Sequence, residues 1–143
     1  MIDERNTAPY AAALLRISQG LLFLAHGAIL KLGTFGLAGT MGFFGSLGYP
    51  PVLGAVVIAA EILGGLALLA GVAVRWVSLG LLPVMLGALV QHSGNGWLFN
   101  APGGGWEFPA FWAAALVVQA GLGAGVWAWD ARRLAGGQRV AAA

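Results

Sequence analysis

Four long apolar segments, at residues 8–32, 52–74, 76–92 and 108–129, alternate with stretches rich in glycine, proline and polar residues. Each reaches or approaches the ~17 to 25 residues that cross a hydrocarbon layer as a helix. The pattern therefore predicts an all-α integral membrane four-helix bundle, a single membrane domain over 1–143 with outer connections at 33–51 and 93–107. The first segment is too long for the apolar region of a cleavable leader, and Asp3 and Glu4 precede it, so it is expected to persist as a span. The third is the shortest and carries Pro83, tolerated in a membrane helix where neighbours or a kink satisfy the freed carbonyl.

The two outer connections differ in kind. The first places glycine at every third position from Gly33 to Gly48. Collagen needs a far longer run and abundant proline. A short interfacial helix is the expectation instead, its glycine ridge flanked by Phe35, Phe43 and Phe44 and its end set by Pro50 and Pro51. The second, HSGNGWLFNAPGGGWEFP, has Asn95-Gly96 and Gly103-Gly104-Gly105 to supply the left-handed conformations of tight turns. Trp97, Trp106 and Phe108 suit an aromatic belt at that face, and Trp127 and Trp129 at the opposite one.

Composition sharpens the class. The chain is 59% hydrophobic and only 8% charged, far below the roughly 25% of soluble domains. With no cysteine, thiol relays, disulfide exchange, thiolate zinc and iron–sulfur clusters are beyond this chain alone. Its seven basic residues are scattered and leave no nucleic-acid footprint. Arg5, Arg75, Arg132, Arg133 and Arg139 fall on one side of the bundle and Lys31 on the other, so both termini are expected in the cytoplasm, with the protein in a bacterial inner membrane.

Polar residues inside the spans carry the candidate chemistry. Arg16, Gln19, Phe23 and His26 fall within about 80° on one face of the first helix, at ~100° per residue. Lys31 points elsewhere in that register and is expected to snorkel to the head groups. Glu61 lies near the middle of the second span, on the side shared with Gly64, Gly65 and Gly71, and so faces protein. A bare charge at a helix centre costs ~2.5 to 3.5 kcal/mol on the insertion scale, while each Leu, Ile or Val returns ~0.3 to 0.6. Insertion survives, but a basic partner would lower the cost. Arg16 lies about 7 Å below the midplane and His26 about as far above it, at ~1.5 Å per residue, so either is a candidate partner for Glu61. Two readings stay open: a pair that only fixes helix register, or a carboxylate, imidazole and guanidinium that relay protons to a lipid-soluble ligand.

The same choice recurs outside. His92, Asn95, Trp97, Asn100, Trp106 and Glu107 form either a packed cap, with Glu107 at the positive end of the fourth helix, or the lid of a pocket lined by His26, Glu61, His92 and Glu107. A bis-histidine haem through His26 and His92 is not expected, since lone histidines in membrane helices are common, and His26, His92 and Glu107 lack diagnostic metal-ligand spacing. Gln119 is expected to hydrogen-bond a neighbouring helix.

LLRISQGLLFLAHGAILKL, FFGSLGYPPVLGAVVIAAEILGGLALLAGVAVR and the outer stretch at 92–109 resemble, in order and spacing, successive motif blocks of the DoxX family of small bacterial membrane proteins. The elements are Arg16, His26-Gly27, Ala60-Glu61 with Gly64-Gly65, Asn95-Gly96 and Gly104-Gly105-Trp106-Glu107; Trp97 and Phe108 stand where other aromatics are expected. The resemblance implies a four-helix membrane protein. It further implies an association with sulfur redox and oxidative-stress complexes, since a related group supplies a membrane subunit of a thiosulfate:quinone oxidoreductase.

The leading expectation is a redox-linked subunit with an outer-leaflet pocket for a quinone or similar lipophile. In it Glu61 and His26 exchange protons, Arg16 holds Glu61 ionised, and His92 with Glu107 closes the mouth. A non-enzymatic scaffold or assembly factor stands beside it, and a small-molecule transporter third, without an inverted repeat or broken helix to support it. Expected partners are membrane lipids and either a second copy of the chain or a membrane or periplasmic redox protein.

Overall fold

The computed structural model describes residues 4–129, and among them the chain is all-helical. Of the cations behind the orientation argument, Arg132, Arg133 and Arg139 lie outside those residues. Helix α1 (Glu4–Leu24) runs without interruption into a π-helical stretch, Ala25–Thr34. An interfacial helix α2 (Gly36–Ser46) follows, then α3 (Val52–Ala70), α4 (Val74–His92) and α5 (Glu107–Leu122). The stretches Thr7–Thr34, Val52–Ala70 and Val74–Asn95 are long and apolar enough to cross a membrane, whereas α5 is apolar but shorter.

The bundle is polar within and apolar without. Arg16, Gln19, Glu61, Ser78 and Gln119 are buried, while Leu14, Leu63, Val90 and Phe111 are exposed. In water that distribution would be costly; in hydrocarbon it is required, because only the bundle can satisfy polar groups there. Phe23, Leu68, Leu81, Met85, Trp112 and Leu116 complete the core. Helix α1 packs mainly on α3, and α5 on α4. At the α1–α3 crossing two glycines meet: a methyl group on Gly65 would come within 2.9 Å of the Gly20 carbonyl oxygen, and one on Gly20 within 2.9 Å of the Gly65 oxygen. Without side chains the backbones approach closely, and Glu61 is carried to the face of α1.

Several helix ends differ from expectation, each for a local reason. Helix α3 stops at Ala70 because Gly71 takes a left-handed conformation (φ 71°) and closes the last turn through the Ala67 and Leu68 carbonyls; α4 then starts at Val74. Helix α5 ends at Leu122, short of the expected Trp129. Gly123 (φ 79°), Gly125 (φ 68°) and Trp127 (φ 56°) break it, and the chain folds back so that the Val126 N–H donates to the Pro9 carbonyl at 3.1 Å. The glycine ridge of α2 is not its packing face, since Gly39 has only the Phe35 side chain near and Gly42 has open space. The close contact comes from α3, where Gly54 abuts the Thr40–Met41 backbone, while Thr40 is buried and donates to the Lys31 carbonyl at 3.0 Å.

Gly65→Val would force a side chain into the α1 backbone and is expected to lower stability in detergent by about 1–3 kcal/mol. Gly80→Ala, which faces open space, should leave the thermal midpoint within about 0.5 kcal/mol of wild type. Thermal unfolding of the two variants side by side checks this.

Candidate functional site: a buried ion pair and a carbonyl clamp

The carboxylate of Glu61 pairs with Lys31, whose Nζ donates to Oε1 and Oε2 at 2.8 Å each. This corrects both the expected Arg16 or His26 partner of Glu61 and the expected snorkelling of Lys31. The cause is the π-helical stretch. With i→i+5 hydrogen bonds, such as Phe35 N–H to the Leu30 carbonyl at 3.0 Å, each residue turns through less than the α-helical ~100°. Over the residues from Ala25 to Lys31 that lag swings the lysine round towards the side of Gln19 and Phe23. Gly27 makes room, since a methyl group there would lie 2.9 Å from Glu61 Cβ. The pair is asymmetric: the Glu61 side chain is 2% exposed and that of Lys31 21%.

Arg16 does something else. All five N–H donors of its guanidinium meet carbonyls: Nη1 donates to Leu68 (2.5 Å) and Leu69 (2.8 Å), Nε to Ala124 (2.9 Å), and Nη2 to Val126 (3.1 Å) and Trp127 (3.4 Å). Leu68 and Leu69 belong to the last turn of α3, at the negative end of its dipole, where the carbonyls run out of α-helical donors and the only backbone donor to Leu68 is the capping Gly71 N–H at 3.1 Å. The remaining three belong to the segment after α5. Gly71 leaves the space for this, because a methyl group there would collide with Ala128 and approach Arg16 Nη1 to 3.0 Å. The Arg16 side chain is thus a clamp on backbone, with no donor left for Glu61.

The other candidates divide by height. His26 Nδ1 donates to Leu22 O of its own helix at 2.9 Å, and its ring meets Trp112 edge-on with centroids 5.2 Å apart. Gln19 donates from Nε2 to Ala115 O at 3.3 Å, and Gln119 from Nε2 to Ala12 O at 3.3 Å and Gly123 O at 2.7 Å, so the two amides tie α1 to α5.

Between α4 and α5, His92 Nδ1 donates to the Gly103 and Gly104 carbonyls (3.1 and 3.0 Å), and Asn95 Nδ2 donates to the same two oxygens at 3.0 Å. Both glycines have φ 80°, so both depend on having no Cβ. Glu107, first residue of α5, accepts from the Phe99 N–H at 2.7 Å. Trp97 and Trp106 stack edge to face at 4.4 Å, and Asn100 is exposed. These contacts make a packed cap. An open groove of about 510 Å³ lies along α5, lined by Trp97, Phe99, Glu107, Phe108, Ala110 and Phe111. Among the described residues no three His, Asp or Glu side chains gather into a metal site.

Lys31 is the residue that sequence reasoning placed wrongly. The one usable signal was negative: a mid-span carboxylate with no partner assigned at its own depth, and a long cationic stem above it. Replacing Arg16 with Met is expected to cost at least about 2 kcal/mol, with Lys rescuing little because one ammonium cannot span two backbone segments. Lys31→Met alone is expected to cost about 3–5 kcal/mol by stranding Glu61, and the Lys31→Met/Glu61→Gln double variant to recover most of it. Thermal or denaturant unfolding in detergent reads each.

No curated protein and no solved structure matches the chain. The family model for DoxX matches residues 11–94. That segment holds Arg16, His26, Lys31 and Glu61, more than half of the sequence, and the chain belongs to the DoxX family.

Proposed function

We propose that this membrane protein is a redox-linked subunit that binds a quinone or similar lipophilic carbonyl compound at the Lys31–Glu61 pair. One observation carries the reading: a buried carboxylate is paired with a lysine whose ammonium gives two of its three N–H groups to Glu61. A ligand carbonyl can accept the third N–H without breaking the pair. Arg16, His92, Asn95 and Glu107 are engaged with backbone, whereas Lys31 and Glu61 meet each other and His26 bonds its own helix through Nδ1. An aromatic route supports ring-bearing ligands: Phe108 lines the outer groove and lies 5.5 Å from Trp112, which meets His26. The residues present suit a quinone, with donors at its oxygens and rings at its faces; when bound it would supply the two-electron, two-proton chemistry that the chain lacks. In this reading Lys31 binds and orients, Glu61 and His26 hold or pass protons, and electrons come from a partner protein. Arg5 and Arg75 then lie on the cytoplasmic side of a bacterial inner membrane, with both termini, and the 93–106 loop faces the periplasm.

A scaffold role is the second reading, favoured by the engagement of Arg16, Gln119, His92 and Asn95 with backbone carbonyls. Extraction of lipophiles from protein purified out of native membranes, followed by mass spectrometry, separates the two. Bound quinone is expected with wild type and at least tenfold less with Lys31→Met/Glu61→Gln, which keeps the bundle free of a stranded charge. Equal amounts in both, or none in either beside undiminished recovery of a partner protein, would leave the scaffold reading.

A further inference from the structure

Helix α2 is held to the bundle at one turn. Of its eleven residues only Thr40 is buried, at 4% exposure, while Leu37 and Phe43 stay exposed. At that turn Gly54 of α3 abuts the Thr40–Met41 backbone, and the Thr40 hydroxyl donates to the Lys31 carbonyl at 3.0 Å. Lys31 belongs to the last turn of the π-helical stretch, where carbonyls run out of helical donors. The residue that reaches Glu61 through its ammonium is therefore gripped by α2 through its peptide. Gly54 precedes Glu61 by two turns on the same face of α3. Helix α2 thus rests on both elements that supply the ion pair.

Both ends of α2 turn on glycine. Gly36 opens it at φ 75° and Gly48 follows its last turn at φ 84°, and a methyl group on either would meet nothing within 4 Å. Glycine leaves the left-handed region at little cost, so such positions can absorb the φ and ψ changes of a moving segment. A helix with one buried side chain, set between two such joints, belongs to the low-stability end of a fold, from which lids are drawn. We propose that α2 is a hinged lid at the Lys31–Glu61 pair, latched by the Thr40 hydroxyl on the Lys31 carbonyl. Opening releases the peptide that carries the lysine and uncovers its side chain, while Leu37 and Phe43 keep α2 in the membrane interface. As a gate for a ligand the lid rests on the reading of Lys31 and Glu61 as a binding site. The motion itself does not.

Lys31 is the only lysine in the chain, so its acylation by a water-soluble succinimidyl ester, read on its peptide by mass spectrometry, reports the lid without any ligand. Amide hydrogen exchange on the same full chain in lipid nanodiscs reports α2 itself. The α2 amides are expected to exchange at least tenfold faster than those of α3. Thr40→Val keeps the side-chain shape and loses the donor. It is expected to speed both α2 exchange and Lys31 acylation by about threefold to tenfold, with α3 exchange unchanged. Should Thr40→Val fail to fold, Gly36→Ala meets open space but strains the left-handed closed geometry, and should raise the same two rates roughly tenfold. The proposal is overturned by α2 amides as protected as those of α3, by faster α2 exchange without faster Lys31 acylation, or by rates that the folded variant leaves unchanged. Absence of bound quinone would count against the proposed function and leave these rates as they are.

Discussion

The guanidinium of Arg16 decides how this bundle is closed at the end where its helix starts. A buried terminal carbonyl cannot turn to water, yet α3 ends there and the chain after α5 leaves helical conformation there. One side chain supplies donors to both places. The left-handed turn at Gly71, the early stop of α5 and the return of residues 123–128 against α1 all become affordable because their carbonyls are met. Deep burial of an arginine, so often a sign of chemistry, here has a complete structural explanation.

Towards the other end the charge is handled differently. Glu61 is neutralised by Lys31, and the geometry of that pair follows from backbone: glycine contacts bring α3 onto α1, and the π-helical stretch rotates the lysine to meet it. Because the lysine remains partly open, this pair keeps a hydrogen-bonding capacity that the clamp at Arg16 does not. Function is therefore sought at Lys31 and Glu61. The connection between α4 and α5 is tied down in the same way as the clamp: His92 and Asn95 converge on two glycine carbonyls, and Glu107 on one N–H.

Legibility of the site varied residue by residue. The inward face of Glu61 could be read because glycines share its side of the helix. The tight turns at Gly96, Gly103 and Gly104 could be read because Asn-Gly and Gly-Gly-Gly have few conformational uses. Lys31 could not, since an ideal α-helix directs it to another face and the actual turn is wider. Nor could the stop at Leu122, where the residues remain apolar and only the waiting donors of Arg16 make a non-helical path acceptable.

By itself the sequence determined that the chain is a helical membrane protein, roughly where its long apolar helices lie, and which polar residues had to be buried. Those properties depend on segment length, composition and transfer free energy, all local sums. Only the tertiary structure decided which polar group meets which. Arg16 and its acceptors are separated by between 52 and 111 positions, and Glu61 and Lys31 by 30. Such pairings depend on helix rotation and approach, which the glycine crossing and the π-helical stretch set and no local sum contains.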